Sequence, residues 1–181
     1  MNTLYGQVKK QILEKASQIK LLVCDVDGVF SDGRIYMGND GEELKAFHTK
    51  DGFGIKALGA SGVDIAVITG RRSHIVTQRM QALNVRHIIQ GEEDKFPALK
   101  ALAGQQELTL DEIAYIGDDI PDLACITNAG LGIAVQDAHP SVIRGADYIT
   151  FTRGGFGAVR EVCDLIMLSQ GTLGGAKGAS I

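Results

Sequence analysis

Two aspartates two residues apart, Asp25 and Asp27, close the run "LLVCDVDG". Alternate residues of extended chain point the same way, so both carboxylates can face one side of a strand end. A second acid pair, Asp118 and Asp119, follows "EIAYIG" in the same manner. Between the two pairs stand Thr69, Gly70 and Arg71 after "VDIAVI", and Lys95 after "HIIQGEED". Carboxylates brought close together repel and raise each other's pKa unless a cation neutralises them. An all-oxygen set with no His or Cys cluster suits Mg2+, which takes one or two carboxylates together with waters and phosphate oxygens. A lysine ammonium, a hydroxyl and free main-chain N–H groups make a cradle for phosphate. Phosphate beside Mg2+ and a carboxylate points to phosphoryl transfer, in which one Asp attacks phosphorus and carries it as an aspartyl-phosphate. A second acid protonates the leaving oxygen and then activates water. Taken singly, each motif has an ordinary structural reading. An Asp after a strand caps a loop or helix, a Thr-Gly makes a turn, and a lone Lys lies on the surface. Their common placement, each at a strand end or the start of the next helix, is what favours chemistry.

That placement depends on the elements between the motifs. Six apolar runs have strand length: "IKLLVCDV", "VDIAVIT", "VRHIIQG", "EIAYIGD", "LGIAV" and "ADYIT". Amphipathic stretches at 54–60, 73–83, 95–103, 122–129 and 140–145 separate them, a longer one at 155–169 follows, and a first helix is expected near 4–18. Short apolar strands alternating with helices indicate an α/β fold, a Rossmann-like doubly wound parallel sheet covered on both faces. In such sheets ligands bind at the carboxyl ends of the strands, so the four motif loops converge on one crevice. One segment breaks the alternation. "RIYMGNDGEELKAFHTKDG" reads strand, turn, strand, with Asn39-Asp40-Gly41 tolerating positive φ. A β-hairpin flap over about 34–48 is therefore expected to project between the first strand and the first crossover helix. The tail, about 171–181, is rich in Gly and small residues and is expected to be flexible.

The 181 residues suit one domain spanning 1–181. A net charge of −4 disfavours a general nucleic-acid or membrane surface. The N-terminal stretch lacks the apolar core of a signal peptide, and no apolar run approaches the ~20 residues of a membrane span. Cys24, Cys125 and Cys163 are odd in number and form no CxxC pair. Reduced, structural thiols and a cytoplasmic location fit that usage.

With "DVDGVFSDG", "ITG", a lysine before a helix and "GDDIPD" in this order, the chain resembles the haloacid dehalogenase superfamily of phosphatases. Further segments, "GRIYMGNDGEELKAFHTKDGFGIK", "GRRS", "AVQDAHP", "ADYIT" and "GGFGAVREVCDLIM", resemble the capless subfamily that hydrolyses 3-deoxy-D-manno-octulosonate 8-phosphate (Kdo 8-phosphate). The resemblance implies Asp25 as nucleophile and Asp27 as general acid/base with its backbone carbonyl on Mg2+. Thr69 would hold the phosphoryl oxygens and Lys95 would neutralise their charge. Asp118 would bind the metal, with Asp119 as a further ligand or its support. It also places His48, Thr49, Asp51 and Gly52 against substrate. It implies release of Kdo and phosphate in lipopolysaccharide synthesis, and a homotetramer whose subunits help close each other's sites, the hairpin standing in for a cap.

A sugar acid phosphate adds a carboxylate to the phosphate and needs basic groups beyond Lys95. Lys50, Lys56, Arg71 and Arg79 are the candidates, Gly70 and Arg71 lying directly after Thr69. A solvated helix face is an equal reading for Lys56 and Arg79. Asp32 reads as a loop cap, and Asp122 as an anchor of its loop rather than a ligand. Phe30 and Phe156 depart from the subfamily's usual residues without touching the core chemistry. Two other readings compete. One is a phosphatase of another sugar acid phosphate, such as a nonulosonate 9-phosphate. The other is a receiver-like phospho-acceptor module, against which the motif order and the acid two residues after Asp25 both argue.

Overall fold

The structure is a computed structural model and describes residues 3–175. Its centre is strand β1 (Leu21–Cys24), whose four residues are all buried. Such a run is stable only with cover on both faces, and the chain supplies it. Strands β4 (Asp64–Thr69) and β5 (His87–Gln90) add to one side of β1. Strands β6 (Ile113–Gly117), β7 (Leu131–Ala134) and β8 (Tyr148–Ile149) add to the other. All pairings are parallel, in the order β5-β4-β1-β6-β7-β8. The strand order therefore reverses direction at β1, which opens a crevice at the carboxyl ends of β1, β4 and β6. The doubly wound α/β expectation is borne out.

Helices α1 (Lys10–Ser17), α2 (Thr49–Ala60) and α7 (Ala158–Ser169) pack together. Helices α4 (Lys95–Gln105), α5 (Leu123–Asn128) and α6 (Pro140–Gly145) form a second group, α5 contacting both of the others. Helix α3 (His74–Ala82) links β4 to β5. Among the described residues no helix is long and apolar enough to cross a membrane.

Three helix boundaries differ from the sequence expectation, each for a local reason. Helix α2 starts at Thr49 rather than near 54, because the His48 ring accepts from the Lys50 N–H and caps it. Glycines are tolerated there because α2 lies tight on α7: a Cβ at Gly54 would stand 3.1 Å from Arg160 Cα. Helix α7 starts at Ala158 because Gly155 and Gly157 hold φ of 74° and 110° in the turn before it. Helix α1 starts at Lys10, the residues near Tyr5 forming a separate turn that pins Tyr5 Oη to Asp164.

The hairpin is present as β2 (Tyr36–Met37) and β3 (Glu43–Leu44), paired antiparallel. Gly41 sits at φ 81° in its turn. Residues 171–175 of the expected tail fold into a turn, with the Thr172 N–H donating to the Met167 carbonyl. The remainder of the tail lies outside the described residues.

Candidate active site

Strand β1 delivers Asp25 to the crevice floor. Its side chain is almost fully buried, and its Oδ1 lies 2.8 Å from Lys95 Nζ. Lys95 opens α4, and its ammonium reaches the floor from the neighbouring loop. The same Nζ donates to Asp122 Oδ1 at 2.7 Å, and the buried Tyr115 hydroxyl donates to that oxygen at 2.8 Å. Asp122 Oδ2 accepts the main-chain N–H groups of Asp118 and Asp119 at 3.1 and 3.2 Å. Asp122 thus spends both oxygens on shaping the loop after β6 and on holding Lys95. It acts as the expected anchor.

Glycine permits the close approach of the two acidic loops. Gly28, at φ +91°, lies so near Asp118 that a Cβ would stand 2.2 Å from Asp118 Oδ2. A side chain at that position would expel Asp118 from the cluster.

Asp25, Asp118 and Asp122 each offer an oxygen within 4.8 Å of the other two. One lysine cannot neutralise three such carboxylates. Burial, then Asp122, pushes the Asp25 carboxyl up to about 6 against the pull of Lys95. Burial, then Asp25 and Asp122, pushes Asp118 up to about 8. Burial works against the Lys95 ammonium, but Asp25 and Asp122 outweigh it and hold its pKa above the ordinary lysine value. The donor set is all oxygen, crowded and under-compensated, which is the environment a divalent cation such as Mg2+ fits.

Thr69 ends β4, is buried, and lines the crevice with Gly70, Arg71, Gly33, Glu93 and Pro121. The crevice has a volume of about 500 Å3, within the ordinary range for a small-molecule site. Asp25, Asp27, Lys95, Asp118 and Asp119 line it too. Asp119, expected as a ligand or its support, is exposed and caps the Ile120 N–H at 2.8 Å; its carboxylate lies outside the cluster. The Asp27 carboxylate also lies outside it, receiving Ser31 Oγ at 3.3 Å and the ammonium of Lys45.

Other expected substrate contacts lie elsewhere in this chain. His48, Thr49 and Lys50 form the N-terminal end of α2, away from the crevice lining. Asp51 and Gly52 are buried in its first turn. The Asp51 carboxylate turns to α7, accepting the Arg160 N–H at 2.8 Å. Arg79 acts electrostatically on Asp51. Lys56 lines a separate cavity with Asp64, at the opposite end of β4 from Thr69. None of these seven residues lines the crevice.

Two residues that sequence reading missed come from the hairpin. The Lys45 side chain is 1% exposed and contacts Asp27 and Glu43. Glu43 also pairs with Arg71 at 2.8 Å. The available signal was period two in "EELKAF", which sets Glu43 and Lys45 on one face of the hairpin strand.

A parallel sheet that reverses at β1, with Asp25, Lys95 and Asp118 converging at its carboxyl edge, defines a phosphotransfer class of α/β protein. A family model for haloacid dehalogenase-like hydrolases matches residues 84–159. Over 181 residues the chain is 49% identical to the 3-deoxy-D-manno-octulosonate 8-phosphate phosphatase KdsC of Yersinia pestis, covering all of this chain and 97% of that one. A crystal structure of the phosphatase of that name from Yersinia pestis superposes with a TM-score of 0.98, at 49% identity over 100% of this chain and 98% of the other. Another, from Moraxella catarrhalis, was solved in complex with a magnesium ion, a phosphate ion and a Kdo molecule. It gives a TM-score of 0.91 at 45% identity, over 93% and 97% of the two chains. The chain belongs to the Kdo 8-phosphate phosphatase family of the haloacid dehalogenase-like hydrolases.

Proposed function

We propose that the protein is a Mg2+-dependent phosphomonoesterase that converts Kdo 8-phosphate to Kdo and phosphate, a step of lipopolysaccharide synthesis. The carrying observation is the buried Asp25 held against Lys95 beside Thr69 and Asp118 at the reversal of the sheet, in a chain half identical to phosphatases of that name. Asp25 is the nucleophile: its carboxylate oxygen forms a bond to phosphorus as the bond from phosphorus to the sugar oxygen breaks. Asp27 gives that sugar oxygen its proton. Water then attacks phosphorus, Asp27 takes the water's proton, and the bond from phosphorus to Asp25 breaks, restoring the carboxylate. Lys95 and Thr69 hold the phosphoryl oxygens throughout. Asp25 and Asp118, with the main-chain carbonyl of Asp27, would hold Mg2+. When bound, the ion supplies the counter-charge that the crowded carboxylates and the phosphoryl group require.

The finer readings rest on further observations. Ile35, Met37 and Leu44 of the hairpin are more than half exposed, and Tyr36 is exposed as well. Such an apolar flap supports a homotetramer in which neighbours cover one another's sites. Three buried, free cysteines support a cytoplasmic setting. Phosphate release measured across sugar phosphates tests the main reading. Kdo 8-phosphate is expected to be the preferred substrate over a nonulosonate 9-phosphate, and exhaustive chelation to abolish release. Equal turnover of all of them, or full activity without divalent metal, would overturn it.

A further inference from the structure

At the mouth of the crevice the hairpin inserts a carboxylate of its own. Glu43 Oε2 accepts from Arg71 Nη2 at 2.8 Å. Its other oxygen, Oε1, lies 3.3 Å from Lys45 Nζ, and Lys45 in turn holds Asp27. Glu43 therefore bridges Arg71 and Lys45, the ammonium that holds the proton-transferring Asp27, at the rim where Gly70 and Arg71 line the crevice.

The manner of its docking is loose. Oε1 is buried and makes no hydrogen bond, so docking strips water from a charged oxygen without a full replacement. The Arg71 side chain is 44% exposed, where an ion pair contributes little. Glu43 engages the guanidinium through Nη2 alone, although that fork can receive a carboxylate through two parallel bonds. A carboxylate held in this way is a replaceable occupant. A second carboxylate able to take both nitrogens would displace it.

We propose that Glu43 is a resident surrogate for the carboxylate of the sugar acid. It occupies Arg71 in the resting site, yields it when substrate enters, and returns to it as the dephosphorylated sugar acid leaves. Glu43 thereby sets how long the acid product is retained, a property of the ligand's carboxylate and not of its phosphate. This rests on the reading of the substrate as a sugar acid phosphate.

The test compares inhibition of phosphate release by free Kdo and by inorganic phosphate, in the wild type and in Glu43→Gln. The substitution keeps the shape of the side chain and removes its charge. The ratio of the Kdo to the phosphate inhibition constant is expected to fall about two- to fivefold, the span that an exposed ion pair supports. In an Arg71→Ala background the same substitution is expected to leave the ratio unchanged, because the contested cation is gone. An unchanged or higher ratio in Glu43→Gln would overturn the proposal, as would an equal fall with and without Arg71. A wild type that releases no phosphate from Kdo 8-phosphate would instead overturn the functional reading, and the proposal with it.

Discussion

At the scale of single residues, charge balance governs the site. Asp25, Asp118 and Asp122 crowd one lysine, and Asp122 resolves part of the conflict by turning its oxygens into hydrogen-bond acceptors for Lys95, Tyr115 and two main-chain N–H groups. Asp27 is treated differently, being held from above by the buried ammonium of Lys45. Lys45→Met is therefore expected to lower kcat by about ten- to a hundredfold, the scale of a misplaced catalytic group, while KM changes less. A variant with wild-type kcat, or one in which KM alone rises, would contradict that positioning role. Sequence spacing made Asp25, Thr69, Lys95 and Asp118 legible because each directly follows or ends an apolar strand run. Lys45 escaped because its contact depends on how a projecting hairpin folds back, which local spacing does not determine. Asp119 sits differently for a related reason: the cap it forms on the Ile120 N–H, which turns its carboxylate from the cluster, is not determined by spacing.

Among the elements, the packing of α2 on α7 explains why expected substrate contacts lie away from the crevice. Asp51 sits in the first turn of α2, yet the glycines around it let the helix press on Arg160, and its carboxylate serves that interface. Burial pushes Asp51 up to about 7 from its ordinary 3.8, against the pull of the Arg160 N–H and nearby positive charges. The folded state thus keeps a proton that the unfolded chain releases. Stability from this source is complete below about pH 4 and is lost as pH rises toward about 7. Asp51→Asn is expected to remove that decline. In urea unfolding the wild-type midpoint should fall more than the variant's between about pH 4 and pH 8; parallel profiles would contradict the assignment. The strands and most helices were legible from apolar runs and their alternation. The start of α2 was not, since two glycines weaken a helix pattern that tertiary contact with α7 and the His48 cap restore.

For the whole molecule, the reversal of strand order at β1 creates the crevice, and the small hairpin leaves it only partly covered. Ile35, Met37 and Leu44 are exposed, and the proposed tetramer would bury them against a neighbouring subunit. Sedimentation of the wild type is expected to give a tetramer and of Met37→Glu a smaller species with reduced activity; a fully active wild-type monomer would contradict that assembly. In the proposed mechanism Asp25 attacks the phosphorus of a sugar acid phosphate. Phosphate release from Kdo 8-phosphate with Mg2+, compared between the wild type and Asp25→Asn, tests it most directly. Rapid release is expected from the wild type and, in a variant with unchanged circular dichroism, a loss of at least about a thousandfold, in the range seen when a nucleophile is removed. Release by Asp25→Asn within a few-fold of the wild type would contradict it.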